Sequence, residues 1–265
     1  MPDAEARPIG SFCPRCHGTL RPAARFCIRC GHEIGDATDF PMPDRRNGST
    51  TRFDAEWSEV KLVAWLFGAL LASSFVVGIV DRMTASILPM VSVEGIDALV
   101  VFAFAVVRHK DVLARLVVPR FTLRTALEIA AVTLASILAL IVYFAVLRRL
   151  GIPLLPIATD DRGEPRASVG LLLVSLSLMP AVIEELAFRG IIQSALERVV
   201  GWREAWVIQA ALFSVLHLLP LSFPSHFLIG LYLGYVRLRS KSLYPGMVLH
   251  GSWNAFVVCQ ELHWI

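Results

Sequence analysis

A chain of 265 residues in which 55% are hydrophobic, only 18% are charged and the mean hydropathy is +0.62 lies outside the range of ordinary soluble domains and reads as a membrane protein. The net charge of +3 is small and scattered, which argues against a nucleic-acid partner. Of the five cysteines, four cluster near the N-terminus and Cys259 stands alone in a late apolar run.

Residues 1–10 are polar, carry Pro2 and Pro8, and lack the apolar core of a signal peptide. The N-terminus is therefore expected in the cytosol, with the rest of the chain a multi-pass protein of the inner membrane. Thiols stay reduced there, so clustered cysteines are better explained by metal than by disulfides. Cys13-Pro-Arg-Cys16, ten residues, then Cys27-Ile-Arg-Cys30 form two CxxC knuckles at a spacing that lets four thiolates meet one tetrahedral structural zinc. Phe12 and Phe26 precede the knuckles and Gly31 follows the second, a pattern that resembles the short zinc ribbons at the ends of many bacterial membrane proteins. His17 and His32 stand beside the knuckles, but four cysteines already fill the shell. A module of roughly this size has little core without its metal, so zinc binding is folding energy. Residues 1–33 are assigned to this ribbon, the place where a cytosolic partner would bind, and the Asp-, Pro- and Ser-containing residues 34–56 to a disordered linker.

From Trp57 the composition turns to long apolar runs, and residues 57–265 read as an all-α bundle of seven to eight transmembrane helices in the lipid bilayer. Spans are expected over 60–80, 91–107, 126–147, 171–199, 204–219, 223–236 and 243–262. Glu94 and Asp97, near the start of the second span, are expected at the outer interface. With the N-terminus inside, Arg108, Lys110, Arg115, Arg120, Arg124, Arg198, Arg203, Arg237, Arg239 and Lys241 fall in cytosolic loops. Arg82, Arg148, Arg149, Arg162 and Arg166 fall outside, so the bias favours that orientation.

The fourth span carries Glu184, Glu185 and Arg189 in an otherwise apolar run. Charges there cost about 3 kcal/mol each on insertion scales and usually have a partner and a use. On an α-helix Glu185 and Arg189 stand at i and i+4, in the favourable order for an ion pair, while Glu184 points about 100° away. The pair reads as a structural clamp and Glu184 as a carboxylate offered to a polar cavity. Phe213-Ser-Val-Leu-His217 follows on the next span. With Gly201 as the turn, Glu184 lies 17 residues before it and His217 lies 16 after it, which puts both roughly 25 Å from the turn, near mid-bilayer. His250-Gly-Ser-Trp-Asn254 places His and Asn on one face of the last span. Gly230 and Gly234 form a small-xxx-small pattern that permits close helix packing.

The series Glu184-Glu185-Leu-Ala-Phe-Arg189, Phe213-Ser-Val-Leu-His217 and His250-Gly-Ser-Trp-Asn254, with motif core 171–262, resembles the CPBP family of intramembrane proteases. That family includes the CAAX prenyl endopeptidases and the bacteriocin self-immunity (Abi) proteins. The resemblance implies a helical fold with a polar cavity where the peptide bond of a membrane-associated peptide or protein is hydrolysed. The zinc ribbon is an addition to the family core.

Amide hydrolysis needs an activated water, a group to stabilise the oxyanion and a proton for the leaving amine. No serine or cysteine with an adjacent base is present in the sequence pattern, so water attacks directly. In one version Glu184, paired with His217, deprotonates the water, and His250 and Asn254 donate to the oxyanion, with Glu185, Arg189 and Phe213 in support. In a second, Glu184, His217 and His250 are ligands of a catalytic zinc. The rival class is a non-catalytic immunity or regulatory protein whose polar cluster fastens helices while the ribbon recruits a cytosolic partner.

Overall fold

The computed structural model describes residues 45–84, 88–119, 121–152, 156–160, 162–218 and 220–263, with Phe12, Cys13 and Leu20. The chain divides into two compact units, Met1–Asp54 and Ala55–Ile265. In the first unit Cys13 is buried; Cys16, Cys27 and Cys30, and with them the expected ribbon, lie outside the described residues.

All regular elements among the described residues are helical. They are α1 (Arg45–Thr84), α2 (Leu88–Val107), the short α3 (His109–Leu113), α4 (Leu123–Arg149), α5 (Val169–Val199), α6 (Trp202–Leu216), α7 (Phe223–Ser240) and α8 (Tyr244–Glu261). The seven expected spans correspond to α1, α2 and α4–α8. Helix α1 starts at Arg45 and so takes in residues 45–56, read from sequence as linker. No proline follows Pro43 until the next helix, so nothing in the covalent chain stops the helix growing in that direction.

Among the described residues three helices are long and apolar enough to cross a membrane: Phe53–Val80, Leu123–Arg149 and Val169–Val199. The apolar window of α4 is only 6% buried, with Leu123, Leu127, Leu134 and Leu138 facing outward, an arrangement that needs a lipid solvent. By contrast, α5 is 56% buried over its window and forms the centre of the bundle. Helix α6, of 15 residues, spans about 22 Å, and α7 and α8, of 18 each, about 27 Å. These three carry polar side chains inward.

Helix α5 is not a plain α-helix. A π-helical segment, Val174–Leu178, precedes Pro180, and a second, Glu185–Ile192, holds the Glu-Arg motif. Proline has no N–H and its ring crowds the carbonyl four residues back, and widening the preceding turn relieves both faults. The core surrounds the second segment. Leu186, Phe188, Ile191 and Ile192 pack with Leu66 and Leu70 of α1, Val101 of α2, Phe213 of α6 and Leu243.

Gly201, at φ +92, makes the turn into α6 as expected. Helix α6 ends at Leu216, earlier than predicted, and Leu218 takes φ +54. Pro220 follows closely, and a helix usually stops short of a proline. The reversal into α7 is closed by side chains: Ser214 Oγ donates to Phe223 O (2.6 Å), and Ser225 Oγ to Ser222 O (2.9 Å). Irregular backbone at membrane depth requires such satisfaction.

The α6–α7 hairpin is close-packed at the small residues. A Cβ on Gly230 would lie 2.8 Å from Ala210 Cα, and one on Gly234 2.7 Å from Trp206 Cδ1. Gln209 Nε2 donates to Gly230 O (2.9 Å) and Trp206 Nε1 to Leu231 O (2.7 Å). At the end of α7, Arg237 and Arg239 lie within the helix and not in a loop. Arg237 is 1% exposed, paired with Glu197 and Ser194 of α5. At the same end of α5, Arg198 and Arg108 share the carboxylates of Glu59 and Asp111, which joins α1, α3 and α5.

Candidate active site

Glu185 and Arg189 are both fully buried and joined by a 2.7 Å hydrogen bond from Arg189 Nη1 to Glu185 Oε1. Arg189 also lies over the Phe213 ring, 4.5 Å from its centroid, and its Nη2 reaches toward Gly230 O at 3.4 Å. One guanidinium thus fastens α5 to α6 and α7, using an ion pair, a cation–π contact and a carbonyl.

Phe213 is the ring about which the histidines are arranged. Its centroid lies 5.0 Å from His217 and 5.9 Å from His250, both edge-on, and 6.2 Å from His226. His217 caps the end of α6, with Nδ1 2.9 Å from Phe213 O. A carbonyl only accepts, so Nδ1 carries the hydrogen and neutral His217 presents Nε2 as an acceptor.

His250 stands between the two glutamates. Its Nε2 is 3.7 Å from Glu184 Oε2 and its Nδ1 is 3.3 Å from Glu185 Oε1. The ring is 5% exposed and the Glu184 side chain 20%. The approach is possible because Gly246 lies against Glu185, where a Cβ would come within 2.6 Å of Oε2, and because Ser177 Oγ donates to Gly251 O (2.7 Å) across α5 and α8. Asn254, one turn beyond His250 on α8, is half-buried. Glu184 Oε2, Glu185 Oε2 and His250 Nδ1 are buried without a hydrogen-bond partner among the described residues. Buried polar atoms in that state are completed by water or a ligand.

The structure therefore brings Glu184, Glu185, Arg189, Phe213, His217 and His250 into one cluster. Sequence reasoning coupled Glu184 with His217; the imidazole seen beside Glu184 is that of His250. His226 was missed altogether. Its ring centroid is 3.7 Å from that of His217. Glu94 and Asp97 are the two α2 carboxylates expected at the outer interface. Both are half-buried, Ser73 Oγ donates to Asp97 Oδ1 at 2.5 Å, and both carboxylates are near enough to Glu184 to act on it electrostatically. Among the described residues no group of three or more His, Cys, Asp or Glu side chains is gathered as a metal-holding set.

An apolar cavity of about 280 Å³ between α4, α7 and α8 ends on this cluster. It is lined by Ile137, Leu140, Ile229, Leu249 and Trp253 with His250 among them.

The family comparison agrees. Residues 166–256 match the family model described as type II CAAX prenyl endopeptidase Rce1-like. The matched stretch, about a third of the chain, holds all three motifs. It supports the CPBP/CAAX protease family and, at that level, an intramembrane peptidase acting on a membrane-associated substrate. No curated protein and no solved structure gives a match to the chain. The Rce1-like match begins at Arg166, so α1–α4 stand outside it.

Proposed function

We propose that this chain is an intramembrane endopeptidase in which Glu184 activates water for attack on a peptide bond. The observation that carries the reading is the Glu184 Oε2 to His250 Nε2 approach at 3.7 Å, in a buried cluster whose remaining polar atoms call for a water or a substrate group. A water held between the two loses its proton to Glu184 as its oxygen bonds to the substrate carbonyl carbon. Asn254 supplies an amide donor for the oxyanion that forms. Glu184, now protonated, gives that proton to the leaving nitrogen as the C–N bond breaks, while His217, whose Nδ1–H is held by Phe213 O, presents Nε2 to accept a hydrogen bond from the N–H of that nitrogen. Glu185, Arg189 and Phe213 hold these groups in register.

The substrate reading follows from the Rce1-like match and the cavity. A peptide with an attached prenyl chain would lay its hydrocarbon along Ile137, Leu140 and Leu249 and bring the scissile bond to His250. The distribution of positive charge supports a cytosolic N-terminus. The test is cleavage of a farnesylated peptide ending in a CAAX sequence by the purified full chain in lipid nanodiscs, read by mass spectrometry. Release of a tripeptide by the native chain and not by Glu184→Gln is the expected result. Equal product from both would remove Glu184 from the chemistry, and no product from either would remove the peptidase reading for this substrate.

A further inference from the structure

Among the features that the proposed chemistry leaves unused, His226 has the most specific geometry. It lies in the first turns of α7, and its imidazole is stacked on that of His217 with centroids 3.7 Å apart and ring planes 35° from parallel. Its Nδ1 is 2.8 Å from Ser222 O, so Nδ1 carries its hydrogen, as it does in His217. Each ring is thus fixed on one edge by a carbonyl four residues back and on one face by the other ring. Phe213 closes a further side of both.

That arrangement matters because His217 sits where the helix has stopped. Residue 217 caps α6 and Leu218 is already in the left-handed region, and among the described residues the Phe213 carbonyl and neighbouring rings restrain the His217 side chain. A ring with one hydrogen bond can still pivot about that bond. A second ring pressed on its face at van der Waals distance removes the pivot. The two rings meet at a tilt of 35°, and their Nδ1 atoms are both engaged elsewhere.

We infer that His226 is a positioning residue of the active site, which stacks on His217 and fixes the plane in which His217 Nε2 meets the substrate. The inference rests on the peptidase reading for its catalytic consequence and on the His217–His226 geometry alone for its structural content. A misplacement on the order of 1 Å in a reacting group costs about a hundredfold in rate. His226→Leu, which keeps bulk but removes the stacking face and the Nδ1 bond, should lower kcat roughly tenfold to a hundredfold with KM little changed, the signature of lost transition-state geometry.

Two further variants separate stacking from the bland role of His226, which is to satisfy the Ser222 carbonyl. His226→Phe keeps an aromatic face and loses the hydrogen bond, whereas His226→Gln keeps an amide donor and loses the face. Positioning by stacking predicts that Phe restores most of kcat and Gln does not. Recovery with Gln and not with Phe overturns the inference in favour of loop satisfaction, and loss with both overturns it in favour of a role for the His226 nitrogen itself. A readout independent of turnover is the NMR spectrum of the full chain carrying ¹³C-labelled histidine, with the His217 signal identified by its loss in His217→Gln. His226→Leu should shift that signal, because the stacked ring that shields it is gone. An unmoved signal overturns the inference even if the native chain cleaves nothing, while failure of the native chain to cleave with a shifted signal sinks the peptidase reading alone.

Discussion

The guanidinium carbon of Arg189 lies 4.5 Å from the centre of the Phe213 ring, with the Glu185 carboxylate bonded to its other side. Phe213 in turn touches the rings of His217, His226 and His250. A buried cation on α5 and the three imidazoles of the site are therefore held apart by one aromatic ring, which gives the Phe of the Phe213–His217 motif a physical duty.

Glu184→Gln should leave the fold intact, since Glu184 Oε2 has no hydrogen-bond partner to lose among the described residues. Removal of a general base costs about a hundredfold to ten-thousandfold in rate. Cleavage should fall by at least the lower figure, with an unchanged elution profile and thermal midpoint in detergent. A variant that aggregates, or one that cleaves normally, would refute the assignment.

Arg189→Ala should be among the most damaging substitutions. It leaves Glu185 as an uncompensated buried charge, at a cost of about 3–5 kcal/mol. Lysine should not rescue it, because an ammonium cannot make the planar contact over Phe213 while bonding Glu185. Thermal unfolding of the two variants in detergent, beside the native chain, measures this; a Lys variant of native stability would show that charge alone suffices.

Gly230→Ala and Gly246→Ala probe two close approaches. The first would push Ala210 away and open the α6–α7 hairpin, and the second would drive into Glu185 Oε2. Overpacking of this kind costs about 1–3 kcal/mol. Gly170→Ala, with open space around it, should be neutral or slightly stabilising and serves as the control. Only the Gly246 variant should lose turnover in excess of stability, because only it moves the carboxylate that faces His250.

Zinc can be tested without ambiguity by deleting residues 1–44, which removes the four clustered cysteines and leaves α1 whole. Activity of that protein should survive strong chelation, because in the proposed route the Glu184 carboxylate alone takes the proton from water. Loss on chelation and recovery with added zinc would establish a metal-dependent mechanism. Zinc content of the full chain, lowered by Cys13→Ser, measures the expected ribbon separately.

The sequence determined the elements. Apolar runs broken by Gly201 and Pro220 set the helices, because both breakers act through the covalent backbone and need no neighbours. Glu185 and Arg189, four residues apart, had only each other within reach along the helix. Face-sharing at that same spacing also made His226 legible in principle. It stands four residues before Gly230 and eight before Gly234, so a helix pressed on α6 through its glycines must turn His226 toward the end of α6. What only the tertiary structure decided is which side chains meet across helices. Glu184 stands beside His250 of α8, a meeting of two helices far apart in the chain that the 3.6-residue period of a single helix does not foresee. Glu94 and Asp97 look like headgroup residues along the chain, and in the fold Asp97 accepts a hydrogen bond from Ser73 of α1. Local breakers and spacings are written along the chain; depth, facing and partnership belong to packing.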